Sequence, residues 1–146
     1  MAPTERGTRV NLSDTDRLDI LELLARADNA ASRRDATAYV SYFTEDGVLE
    51  GAKGEYRGRM ALAEAVGPIW ASEGTASAHL TLNAVIDPVE GQPDRATATS
   101  TLVILDIASM VGTASPISIR TTSTIVQQVV KVGQTWQIAR RSVSEG

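Results

Sequence analysis

The stretch RMALAEAVGPIWASEGTASAHLTLNAVID, residues 59–87, changes its period part-way along. Up to Trp70 the apolar residues Ala61, Leu62, Ala65, Val66, Ile69 and Trp70 recur at three- and four-residue steps, the spacing of one helix face. Beyond Gly74 the steps become two. There His79 shares a face with Ser77, Thr81 and Asn83, while Ala78, Leu80, Leu82 and Ala84 take the other, as in an extended strand. The chain therefore switches from helix to sheet near Gly74.

Upstream of this switch the signals are mainly helical. Ser13 followed by Asp16 resembles a capping box that starts a first helix after a flexible tail over residues 1–12. Leu18, Leu21, Leu24, Ala25 and Asp28 then recur along one side, which turns Asp28 toward the core. Arg33-Arg34-Asp35 breaks the helix, and Asp35 can cap a second, short one carrying Tyr39, Val40, Tyr42 and Phe43, ended by Asp46-Gly47. Val48–Glu50 and Glu55–Arg57 read as a short hairpin. Downstream, residues 76–87, 96–107, 117–130 and 135–143 are rich in β-branched residues and bounded by turn signals such as Asp87-Pro88 and Val132-Gly133. They predict four long consecutive antiparallel strands, with residues 108–116 as a loop. The fold class is α+β: three N-terminal helices packed on a curved antiparallel sheet of about six strands, in one domain over residues 13–146.

Composition excludes several function classes. The 146 residues contain no cysteine and one histidine, which removes thiolate chemistry, disulfides and multi-histidine metal sites, so no metal or cofactor is expected. The net charge is −4, and the basic residues are scattered, so nucleic acid is not an expected partner. No apolar run is long enough to span a bilayer and no signal-peptide pattern opens the chain; no membrane association and a cytoplasmic location are the expectations. No glycine-rich phosphate-binding motif is present.

Four phrases carry a resemblance. They are Tyr42-Phe43-Thr44-Glu45-Asp46-Gly47-Val48, Tyr56-Arg57-Gly58-Arg59, His79-Leu80-Thr81-Leu82-Asn83 and Trp136-Gln137-Ile138-Ala139-Arg140-Arg141. In order and spacing they resemble the SnoaL-like branch of the nuclear transport factor 2-like superfamily. The resemblance implies a cystatin-like cone of sheet and helix around a deep pocket, a frequent homodimer, and relatives that include polyketide cyclases and scytalone dehydratase. The fold alone does not choose among their activities.

Within that frame His79 is the leading candidate acid/base, because an imidazole exchanges protons near neutral pH. The competing assignment is a structural, hydrogen-bonded histidine. In resembling dehydratases a histidine in this phrase works with an aspartate at the end of the first helix, but that position here is Ser32. Asp28, one turn earlier, is the candidate replacement, with an exposed helix acid as the alternative. Tyr42 and Trp70 are expected to close the pocket and Asn83 to share its polar wall with His79; Arg140, in phase with Trp136 and Ile138, either enters the concave face as an anion or carbonyl clamp while Arg141 points out, or forms an edge salt bridge, the commoner outcome. The expected function is proton transfer on a hydrophobic carbonyl or hydroxyl compound by a cofactor-independent dehydratase, isomerase or cyclase. The alternative is a ligand-binding or subunit-association module of the same shape.

Overall fold

A computed structural model describes residues 12–73, 77–106 and 117–145. The sequence expectations for a tail over residues 1–11 and a loop over residues 108–116 lie outside these residues. Leu12, assigned to the tail, is buried in the core.

Helix α1 (Asp14–Ser32) starts as the cap predicts: the Asp16 N–H donates to Ser13 Oγ at 3.0 Å. The other half of the capping box is not made. The Asp16 carboxylate instead accepts from Trp136 Nε1 at 3.0 Å and Lys131 Nζ at 3.1 Å, fastening the first turn of the helix to the far end of the sheet. The buried face of α1 is Ile20, Leu23, Leu24, Ala27, Asp28 and Ala31, whereas Leu18 and Leu21 are exposed. The inward face is thus rotated from the expected one. Two neighbouring rows on a helix share the same three- and four-residue steps, and both pass through Leu24 and Asp28.

Arg33 caps α1 and Arg34 takes a left-handed φ of 58°, which reverses the chain. Helix α2 (Ala36–Ser41) begins under the Asp35 side chain, which accepts from the Ala38 N–H at 3.0 Å. Phe43, assigned to that helix from its spacing, opens strand β1 (Phe43–Gly51) instead. Asp46-Gly47 is an irregularity within this strand rather than a helix stop, and a Cβ on Gly47 would lie only 2.9 Å from Phe43 Cβ. The Phe43 carbonyl is taken by Arg59 Nη2 at 2.7 Å and Nε at 3.1 Å. Strand β2 (Gly54–Arg57) and helix α3 (Arg59–Ala71) follow.

The four long strands are β3 (Ser77–Val89), β4 (Gln92–Asp106), β5 (Ser118–Val132) and β6 (Thr135–Glu145), consecutive and antiparallel as predicted. The sheet order is β2-β1-β6-β5-β4-β3, curved and unclosed, with helices on the concave side. One pairing departs from the all-antiparallel expectation: β1 and β6 run parallel. Parallel neighbours need a long connection, and here everything from β2 to β5 supplies it.

Two bulges set which side chains enter the cone. In β3, Leu82 pairs with Thr101 and Val85 with Thr99, so Asn83 and Ala84 oppose one residue; Asn83 carries the left-handed φ of 57°. In β6, Ile138 pairs with Val129 and Arg140 with Gln128, leaving Ala139 extra. Each bulge shifts the two-residue alternation by one. Among the described residues no helix is long and apolar enough to cross a membrane.

The Trp136 hydrogen bond, assisted by Lys131 and Ser13 and opposed by partial burial, lowers the Asp16 pKa below its ordinary value. A depressed carboxylate pKa adds stability above the unfolded-state value and loses it as pH falls through the folded one. Asp16→Ala is expected to cost about 1–2 kcal/mol at pH 7. The gap to the parent protein should shrink in the acid range below about pH 4, as urea denaturation at several pH values will measure.

Candidate functional site

The curved sheet and the helices enclose a cavity of about 220 Å³. Its walls are mainly apolar: Ala31 from α1, Val66, Ile69 and Trp70 from α3, Leu49 from β1, and Leu102, Ile104 and Val143 from the later strands. Tyr39 of α2 stands between Phe43 and Trp70, its ring 5.3 Å from each and nearly perpendicular to the indole. The hairpin residues Gly51, Ala52, Lys53 and Tyr56 complete the lining, Ala52 and Lys53 being exposed.

Three ionisable side chains reach this apolar space from below: Glu73, His79 and Arg141, exposed by only 7%, 6% and 3%. The inward polar stripe of β3 brings His79 in, with Ser77 and Thr81 on the same side and Leu80 and Leu82 outside. His79 Nε2 lies 2.8 Å from Glu73 Oε1, which also accepts from Ser77 Oγ at 3.1 Å. The main-chain N–H of His79, on the open edge of the sheet, donates to Ser32 Oγ at 2.9 Å. Ser32, at the position where related dehydratases carry the dyad acid, thus holds the backbone of the histidine rather than its ring.

Asp28 faces inward and is 3% exposed. Its Oδ2 accepts from Thr81 Oγ1, and its Oδ1 lies 3.6 Å from Arg141 Nη2, an ion pair without a hydrogen bond. Arg141 Nη1 contacts Gln127 Oε1 at 3.5 Å, while Gln127 Nε2 and Ser100 Oγ are buried without hydrogen-bond partners among the described residues. Burial raises the Tyr39 phenol above its ordinary pKa, opposed by Arg141 and aided by Asp28, so its hydroxyl stays protonated and able to donate.

The pairing expected between His79 and Asp28 is replaced by separate partners: Glu73 for the imidazole, Thr81 and Arg141 for the aspartate. His79 and Asp28 do line a common hollow between α1 and β3, separate from the cavity. Trp70 lines the cavity. Tyr42 does not; it caps α2 and is half-buried against the core. Asn83 sits at the β3 bulge and is exposed, because the bulge ends the inward alternation on which its assignment rested.

Arg140 takes the salt-bridge alternative rather than the clamp, and Arg141, expected outside, is the arginine that enters. The extra residue Ala139 sends Arg141 in and Arg140 out, where it pairs with Glu50 at 3.3 Å and Glu55 at 3.2 Å. Partial burial opposes its charge, but Glu55 and Glu50 outweigh that and raise the Arg140 pKa. Glu73 carries no motif; its only sequence signal is the three-residue step from Trp70, and it lies in the turn just beyond the helix, where its N–H donates to the Trp70 carbonyl at 3.0 Å. Among the described residues no cluster of three or more histidine, aspartate or glutamate side chains could hold a metal ion.

Comparison with solved structures gives the same architecture. A protein of unknown function with a cystatin-like fold from Nostoc punctiforme has 24% identity and a TM-score of 0.80, covering 93% of this chain and 95% of its own. A function-unknown protein from Mycobacterium tuberculosis, solved as a variant, has 26% identity and a TM-score of 0.74 over 99% of this chain and 76% of its own. ActVI-ORFA from Streptomyces coelicolor has 15% identity and a TM-score of 0.78 over 88% of this chain and 96% of its own. No curated protein matches the sequence at a significant level. The sequence model of the SnoaL-like domain matches residues 14–142, and the chain belongs to that family, whose fold is built around a small-molecule pocket.

Proposed function

We propose that the protein is a cofactor-independent enzyme that moves protons on a hydrophobic carbonyl or hydroxyl compound, as a dehydratase, isomerase or cyclase does. The observation that carries this is the buried His79–Glu73 pair at 2.8 Å on the wall of an apolar cavity. With Glu73 accepting the Nε2–H of the imidazole, Nδ1 is the nitrogen that takes a proton from the substrate and returns it elsewhere. Glu73 orients the ring, and the Ser77 hydroxyl fixes the carboxylate in turn. Negative charge developing on a substrate oxygen would be met by Arg141 and by the protonated Tyr39 hydroxyl, both in the same lining. Asp28 acts through Arg141, balancing its charge so that the guanidinium can remain buried. Trp70 supplies a flat apolar wall.

The test is proton exchange at carbon, which can be followed whatever the final product of the reaction. The protein should accelerate deuterium incorporation next to the carbonyl of 2-tetralone and similar bicyclic ketones in D2O, followed by NMR. His79→Ala should lower that rate by roughly 10²- to 10⁴-fold while the ketone still binds. Glu73→Gln should give a smaller loss in the same direction. Unchanged exchange in His79→Ala, with binding retained, would leave the cavity as a binding site alone.

The proposed assembly is a homodimer. Outward-facing rows such as Leu82, Thr101, Thr124 and Ser144 cross four strands without a charge, a surface that a second copy can cover. A stable interface there would bury about 1,200–2,000 Å² in total. Sedimentation at micromolar concentration is expected to give twice the chain mass of 15.5 kDa, and a strict monomer would exclude the dimer.

A further inference from the structure

We infer that the ligand of this cavity carries an acidic group, a carboxylate, held at the mouth by Lys53, in addition to the apolar body that the walls enclose; this rests on the cavity being the ligand site. The ionisable residues of the lining are not equivalent. Glu73 is engaged by His79 and Ser77, and Arg141 is balanced by Asp28. Lys53 also lines the cavity, and no described residue pairs with its ammonium. It is one of two lysines in the chain, and the other, Lys131, is bound to Asp16.

The geometry of the hairpin keeps this charge at the mouth. Leu49 pairs with Tyr56 and Gly51 with Gly54, and Leu49, Gly51 and Tyr56 all line the cavity. Glu50 and Glu55 alternate to the opposite face, where Arg140 holds both. The acids nearest to Lys53 in the chain are therefore turned away and occupied. The Tyr56 hydroxyl donates to the Lys53 carbonyl at 3.4 Å, tying the turn to a cavity-lining ring. Gly51 has no atom within 4 Å of where a Cβ would stand, so the passage past it is open.

A carboxylate belongs at this rim rather than at the floor for a reason of solvation. At the floor it would lose its water among apolar walls, beside an arginine already neutralised by Asp28 and close to the Glu73 carboxylate. At the rim it keeps part of its hydration and gains the uncompensated cation of the lining. The ligand class is accordingly an aromatic or alicyclic acid whose ring system enters the cavity first.

The probe pair is 2-naphthoate and its uncharged counterpart 2-acetonaphthone, with Kd measured by titration calorimetry on the full chain near neutral pH. Quenching of tryptophan fluorescence reports occupancy beside Trp70. At low ionic strength 2-naphthoate should bind about three- to tenfold tighter than the ketone, and the preference should fade in high salt. Lys53→Met should abolish the preference, so that the acid no longer binds more tightly than the ketone in the same variant; Lys53→Arg should keep it. Equal binding of the two probes by the parent protein, or a preference that survives Lys53→Met, overturns the inference while the cavity remains a ligand site. A preference lost instead in Arg141→Gln would place the acid at the floor and overturn it too. If neither probe binds, the inference and the ligand site fall together.

Discussion

The site depends on how strictly a strand alternates its side chains, and on two places where that alternation is reset. Ala139 is the more consequential. Without the extra residue, the phase that buries Trp136 and Ile138 would carry Arg140 into the cavity and Arg141 out of it. With it, Arg141 reaches Asp28 and Gln127 inside, while Arg140 closes an ion cluster with Glu50 and Glu55 on the outer face of the β1–β2 hairpin. One bulged residue thus settles both the polarity of the cavity floor and the anchoring of the hairpin that forms its mouth.

Burying Asp28, Glu73 and Arg141 around His79 is unfavourable for stability, because buried charged and polar groups lose hydration that their mutual attraction only partly restores. The floor shows the incompleteness directly. Among the described residues Asp28 Oδ1, Gln127 Nε2 and Ser100 Oγ are buried without hydrogen bonds, and the Arg141 contacts at 3.5 and 3.6 Å are long for charge-assisted ones. A chain selected for stability alone would fill this space with apolar side chains. Asp28, Gln127 and Ser100 are not among the residues that line the cavity, so these unmet bonds lie behind its floor, around the Arg141 guanidinium that does line it.

Much of the fold was legible because period and turn chemistry are local properties. The change of period near Gly74, the Ser13 and Asp35 caps and the four long strands follow from residues a few positions apart. Asp28 was legible as inward because it lies on the apolar row through Leu24, even though Leu18 and Leu21 proved to be outside that row. The polar stripe of Ser77, His79 and Thr81 was readable as either a solvent-facing row or a pocket wall, and burial of Ser77 and His79 decides for the inside. What escaped were features decided by distant partners. A bulge at Asn83 or Ala139 is fixed by the register of the neighbouring strand, and Ala139 has no residue type that announces it. Glu73 follows the last turn of α3 with no motif; its role appears only when β3 folds back beneath it.

The strand order has a consequence for how the chain reaches this structure. Strand β6 follows all the other elements in sequence, yet it lies inside the sheet, between β1 and β5. Until it docks, the inner edges of β1 and β5 both lack a partner, and the Ile138 N–H cannot meet the Tyr42 carbonyl that it later binds at 2.8 Å. The turn at Gly133 makes the β5–β6 pairing local, so the long-range step is the union of β6 with the β1–β2 hairpin. Such closure joins residues separated by most of the chain, so its loop entropy falls on a late step, and two open strand edges are exposed meanwhile to pairing with other copies. The insertion that assembles the cavity is thus also the step at which folding and aggregation compete.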